Sequence, residues 1–234
     1  MQIKGSCRLF LAFGVCFLAR THVSFGDIIA SVSLNTAPLV AGSAGPFSLD
    51  FELIDGSGTN DGNNSVILTG FSFGSGGSAG TATLTGGATG DLLSGVTLTD
   101  SSFLNDFAQP FVPGSILSFT LQLSTNQEVT GFPDEFTFAI LDRTGGELPT
   151  QSFFDVFVDI DITAQTTVQT FGSDPTRAPR GGGPPLSIPA PTVQGIVPEP
   201  SDLIPLAVGL AMIICGALCA SGTRREGKPA RGPR

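Results

Sequence analysis

Three stretches of this chain alternate apolar and polar residues with a period of two, a spacing that fits a strand and not a helix. Phe47, Leu49, Phe51 and Leu53 are interleaved with Ser48, Asp50 and Glu52, and Leu117, Phe119, Leu121 and Leu123 with Ser118, Thr120 and Gln122. Phe154, Val156, Val158, Ile160 and Ile162 stand against Asp155, Asp159 and Asp161. Successive side chains of a strand point to opposite faces, so each stretch offers one face to a core and one to water. Gly, Asn, Asp and Pro clusters break the surrounding Val-, Ile-, Phe- and Thr-rich text every ~8–15 residues, as turns do. Further strands are expected over Ile28 to Leu34, Val66 to Phe73, Thr81 to Thr85, Val96 to Asp100, Phe136 to Leu141 and Thr167 to Phe171. About nine strands at this spacing predict an all-β fold, an antiparallel β-sandwich with jelly-roll-like connectivity. Gly74 to Gly90 is so rich in small residues that its strands would be weakly specified in register and belong at an edge.

The two ends do not belong to that domain. Lys4 and Arg8 precede an apolar run from Leu9 to Ala19, with Ser24 and Gly26 ahead of Asp27, the three parts of a secretory signal peptide over residues 1–26. The run is too short for a membrane span, which needs roughly 20 residues. Phe13-Gly14-Val15 before Cys16 lacks the pattern of a lipid-attachment site. At the other end, Leu203 to Ala220 is an uncharged stretch of eighteen residues, about 27 Å as a helix, enough for a bilayer core. Arg224, Arg225, Lys228, Arg231 and Arg234 follow it against one acid, Glu226, and such an excess of positive charge stays cytoplasmic. The body of the protein is then expected outside. Between body and span, residues 173–196 carry six prolines and three consecutive glycines, and read as a disordered linker. Cys215 and Cys219 share one face of the expected span and read as membrane-helix filler.

Immediately before the span stands Val197-Pro198-Glu199-Pro200. The motif, the span and the Arg-rich end together resemble the PEP-CTERM sorting signal of Gram-negative bacteria, over about the last 38 residues. The resemblance implies recognition and cleavage by an exosortase, a membrane protease with a catalytic cysteine, and an association with exopolysaccharide and biofilm. Pro198 and Pro200 keep Glu199 in an extended segment that a protease can bind as a strand. Phe47-Ser48-Leu49-Asp50-Phe51, Leu68-Thr69-Gly70-Phe71-Ser72-Phe73-Gly74 and Pro133-Asp134-Glu135-Phe136-Thr137-Phe138 also resemble a group of PEP-CTERM carriers of undetermined activity. That second likeness implies a β-rich domain and no chemistry.

Composition narrows what the exported part, residues 27–172, can do. His22 is the one histidine, and the cysteines are Cys7, Cys16, Cys215 and Cys219, so this part holds neither residue type. It has no lysine either. Catalytic triads, Cys-His pairs, His- or Cys-based zinc sites and Schiff-base lysines all need what is missing. Sixteen acids against Arg143 give 16 − 1 = 15 net negative charges. A field of that sign repels nucleic acid, which is excluded as a partner.

Two carboxylate chemistries survive. Glycoside hydrolysis needs only a pair of acids, and Asp159 with Asp161, about 7 Å apart on one strand face, or the adjacent Asp134 and Glu135, are candidates. Against it, a solvated acidic face explains such pairs, and the chain has neither Trp nor Tyr to stack on sugars. The alternative is a calcium-dependent binding module. Asp55, Ser57, Thr59 and Asp61 in Asp55-Gly56-Ser57-Gly58-Thr59-Asn60-Asp61-Gly62 alternate oxygen-bearing side chains with glycines, although Val66 stands where a helix-loop-helix calcium motif needs Glu. A plain turn is the competing explanation there. The expectation is a non-catalytic, exported surface or matrix protein with a structural or adhesive role, partnered by an exosortase, the membrane and exopolysaccharide.

Overall fold

The computed structural model describes residues 27–57, 62–126, 131–163 and 166–195. Within these residues the alternating stretches form strands that pair entirely antiparallel. In chain order the elements are β1 Ile28–Asn35, α1 Ala37–Val40, β2 Phe47–Ile54, β3 Ser65–Ser72, β4 Gly77–Ser78, β5 Thr83–Leu84, β6 Thr89–Asp91, β7 Gly95–Thr99, β8 Leu104–Val112, β9 Ile116–Leu123, β10 Glu135–Leu141, β11 Val158–Asp161, β12 Thr167–Thr170 and β13 Thr192–Gln194. One sheet runs β13-β1-β9-β3-β7-β6 and the other β12-β11-β10-β2-β8-β4, with β5 also paired to β8. The expected all-β architecture of two antiparallel sheets is therefore present.

The apolar faces of the two sheets meet in one core. Leu49, Phe51 and Leu53 of β2, Phe136 and Phe138 of β10 and Leu121 and Leu123 of β9 are wholly buried. Phe51 lies at its centre. Its ring stacks on Phe138 at 5.0 Å and meets Phe119 of the opposite sheet edge-on at 5.3 Å, a favoured aromatic geometry that ties sheet to sheet.

Four expectations are corrected. The longest strand, β8, was not foreseen, because two of its inward positions are polar. Asn105 and Gln109 alternate with Phe107 and Phe111, and all four are buried. The Asn105 amide donates to the carbonyls of Leu53 (3.0 Å) and Ser102 (2.6 Å), and its oxygen accepts from Gly87 N–H (2.8 Å). Gln109 Oε1 accepts from Leu92 N–H at 2.9 Å. These amides hold the Gly-rich crossing segment to the sheets, and bonding removes the cost of burying them.

The third alternating stretch is a strand only from Val158 to Asp161, since Phe154 is exposed and Asp155 has φ 60°, which breaks the pleat. Thr81 to Thr85 contracts to the two residues of β5, and Gly74 to Gly90 supplies three short strands, with β4 and β6 at sheet edges. Small side chains leave little to pack, so pairing there is brief.

The fourth correction concerns the linker. From Ser173 to Gly195 the chain is not a free tether but lies along the sandwich. Ser173 Oγ donates to Leu186 O and accepts from Ile188 N–H, both at 2.7 Å, and Ile188 is 2% exposed. The Arg177 guanidinium bonds Asp174 (2.9 Å), Asp155 and the Thr150 carbonyl, and β13 pairs with β1. The segment needs no core of its own. It borrows one apolar pocket, one ion-pair group and one sheet edge from the body. Among the described residues no helix is long and apolar enough to cross a membrane, and the expected span, like the signal peptide, lies outside them.

Candidate functional site: an acidic face and a buried aspartate cluster

The strand register gathers the acids that the sequence left scattered. On the outer face of the second sheet, Asp106 of β8 stands opposite Glu52 of β2, which stands opposite Thr137 of β10, then Asp159 of β11. The neighbouring row runs Ile54, Glu135, Asp161. Asp159 and Asp161 thus share a strand face as expected, whereas Asp134 and Glu135 point to opposite sides and form no pair. Carboxylate oxygens of Asp50, Glu52 and Asp106 all lie within 4.8 Å of one another. A hollow of about 200 Å³ opens over this face, lined chiefly by Asp50, Glu52, Glu135, Thr137, Glu147 and Phe154.

Crowded, half-buried carboxyl groups hold their protons. Burial, then the hydrogen bond and charge of Asp106, push the Asp50 carboxyl up from 3.8 to about 9. Burial and the charges of Asp159 and Asp161 push Glu135 up from 4.5 to about 7. Glu52 and Asp159 are raised as well, mainly by burial and then by neighbouring acids. Asp106 Oδ1 and Asp159 Oδ1 are buried and receive no hydrogen bond from an N–H or hydroxyl. The bonds that join Asp50 to Asp106 and Glu135 to Asp159 require a carboxyl proton.

A second acidic group sits at one end of the sandwich. Of the residues expected to hold calcium, Asp55 is fully buried, and Ser57 Oγ accepts from Phe132 N–H at 2.7 Å. Thr59 and Asp61 lie outside the described residues. Two further aspartates, outside the set expected to hold calcium, are buried at the same end. Asp100 and Asp134 are 0% and 1% exposed. Asn64 bridges them, its N–H donating to Asp100 (2.6 Å) and its side-chain amide to Asp134 (2.7 Å). Gly56 N–H, adjacent to Asp55, donates to Asp134 at 2.9 Å. The basic residues of the body, Arg143, Arg177 and Arg180, are gathered instead around the Gly- and Pro-rich segment and the 150–155 turn. No signal in the sequence paired these aspartates, because each begins or ends a different strand.

Val197, Pro198, Glu199 and Pro200, and Arg224, Arg225, Lys228, Arg231 and Arg234, lie outside the described residues. No family model matches the chain, and neither a curated protein nor a solved structure matches it.

Proposed function

We propose that this chain is an exported bacterial surface or matrix protein, sorted and cut by an exosortase at its carboxyl-terminal signal, with a structural or adhesive role linked to exopolysaccharide. The observation that carries the reading is the order Val197-Pro198-Glu199-Pro200, an uncharged membrane-length run, then Arg224, Arg225, Lys228, Arg231 and Arg234, behind a signal-like amino terminus. The body fits a non-catalytic role. It is a two-sheet domain, read here as a jelly-roll-like sandwich, without His, Cys or Lys between residues 27 and 172. Intact-mass measurement of the surface-associated protein tests the reading. The form from a strain with exosortase should end near the Val197-Pro198-Glu199-Pro200 motif, and the form from a strain lacking it should extend to Arg234. A mass reaching Arg234 in both strains overturns the processing step.

A second reading, a calcium-dependent module, is favoured by the burial of Asp55, Asp100 and Asp134. Several carboxylates taken out of water need protons or a cation to offset their desolvation. Calcium takes carboxylate and carbonyl oxygens as ligands. If it binds there, millimolar calcium should raise the melting temperature, by the equivalent of about 2.7 kcal/mol at a hundredfold excess over the dissociation constant. Asp134→Asn should remove most of that rise. An unchanged melting temperature at about 5 mM calcium would end the calcium reading.

A further inference from the structure

The two sheets present outer faces of different character. Carboxyl groups cross the second, whereas the register of the first brings together side chains that carry no charge. One of its rows runs Gln194, Ser31, Thr120, Thr69 across β13, β1, β9 and β3. The next runs Ile29, Gln122, Ile67, Thr97, Thr89 across β1, β9, β3, β7 and β6. Their strand neighbours Ala30, Val32, Leu68, Val96 and Leu121 are buried, so both rows point outward. Among the described strand residues of this face, acids stand only at the margins. Asp27 accepts from the Gln122 amide at 3.4 Å, and Asp91 from the N–H groups of Leu93 and Ser94 at 2.8 Å. Three isoleucines, Ile29, Ile67 and Ile116, are left 39%, 38% and 43% exposed on the same face. Depletion of charge around exposed apolar side chains is what distinguishes the core of an interface from ordinary surface.

We propose that two copies of this chain meet across that face, the first sheet of one lying against the first sheet of the other about a two-fold axis. Charge selects a second copy. Residues 27–172 carry 15 net negative charges, so two bodies repel wherever their acidic sides approach, and the first sheet is the side that brings no carboxyl rows together. Area agrees. Strands about 4.8 Å apart, rising about 3.3 Å per residue, make a face of about 600 Å² per copy, at the lower limit of specific interfaces, which bury about 1,200–2,000 Å² in total. The outward side chains are short or β-branched, which lets two sheets close to about 10 Å, the usual face-to-face spacing. A lone sugar chain finds less here. None of the outward side chains in these rows is aromatic, and the two hollows of the domain lie elsewhere, over the second sheet and beside α1.

Sedimentation equilibrium of the purified full-length chain in detergent measures the association, which depends on neither sorting nor cleavage. A face of this size should give a dimer with a dissociation constant of about 10–100 µM. Raising salt from about 50 to about 500 mM should tighten it several-fold, because screening relieves the repulsion between acidic bodies. Ile67→Glu and Thr120→Glu place a charge in the middle of the face, and each should weaken the dimer at least about tenfold. Val112→Glu, exposed on the second sheet, should not. The melting temperature of each dilute variant checks that it is folded. Should a variant fail to fold, hydroxyl-radical labelling of the unmutated chain decides. Ile29 and Ile67 should be protected at concentrations where the chain is dimeric, and exposed Phe153 labelled equally at all concentrations. A chain still monomeric at about 1 mM would overturn the proposal. So would a dimer indifferent to both Glu substitutions, since it would be held elsewhere on the chain. A neutral glucan that binds the monomer and is lost in Ile67→Glu would also overturn it, assigning the face to polysaccharide.

Discussion

Raising the pH from about 5 to about 9 should destabilise this domain, by up to about 1.4 kcal/mol per pH unit for the buried Asp50 carboxyl and by less for half-exposed Glu135, whose charge water screens. The sign follows from the direction of the shifts. Asp50 is raised from 3.8 to about 9 and Glu135 from 4.5 to about 7. Below the unfolded values both states are protonated, and stability is at its fullest. As pH climbs past them the unfolded chain gives up its protons while the native face keeps them. Stability is therefore lost progressively until the native groups ionise, Glu135 near 7 and Asp50 near 9. Urea unfolding at several pH values measures the slope directly. Asp106→Asn removes one acid from the Asp50 neighbourhood, and should flatten the slope and raise stability at about pH 8. Stability that increases with pH across this window would contradict the arrangement of the acidic rows.

Phe51→Ala should cost about 3–5 kcal/mol, lowering the melting temperature by about 10 °C. The side chain is wholly buried, and its ring contacts Phe107 and Phe138 of its own sheet as well as Phe71 and Phe119 opposite. Truncation leaves a cavity between the two sheets. Phe51→Leu keeps most of the volume and should cost less than about 1.5 kcal/mol. A loss below about 1 kcal/mol for Phe51→Ala, measured by chemical unfolding, would mean that the two sheets do not share this core.

Much of the fold was legible because apolar alternation survives wherever a strand has one wet face. β2 and β9 announce themselves this way, and each pairs across its whole length with a neighbour in a clean register. Where the core side is polar, the signal fails. Asn105, Gln109 and Pro110 make β8 look like a loop, although the two amides are satisfied by backbone partners and Phe107 and Phe111 fill the core beside them. The Pro- and Gly-rich stretch after Gly172 looks like a free linker for the opposite reason. Its composition cannot form a core, yet Ile188 and β13 need only a body to lie against.

The acidic face was half legible. Asp50, Glu52, Asp159 and Asp161 are outward positions of readable strands. That Glu52 faces Asp106, 54 residues away in sequence, depends on β2 and β8 being neighbours, which no local pattern encodes. Phe154 continues the alternation of β11 and so reads as a core position in sequence. Only the left-handed backbone at Asp155 turns it outward.

The proposed function requires one orientation: the β domain outside the cell membrane, the basic end inside. Alkaline phosphatase, which folds to an active form only beyond the cytoplasm, reports this when fused in turn after Gly195 and after Arg234 in a strain without exosortase. The proposed orientation requires full activity for the first fusion and none for the second. Activity of the Arg234 fusion, with silence at Gly195, would contradict it.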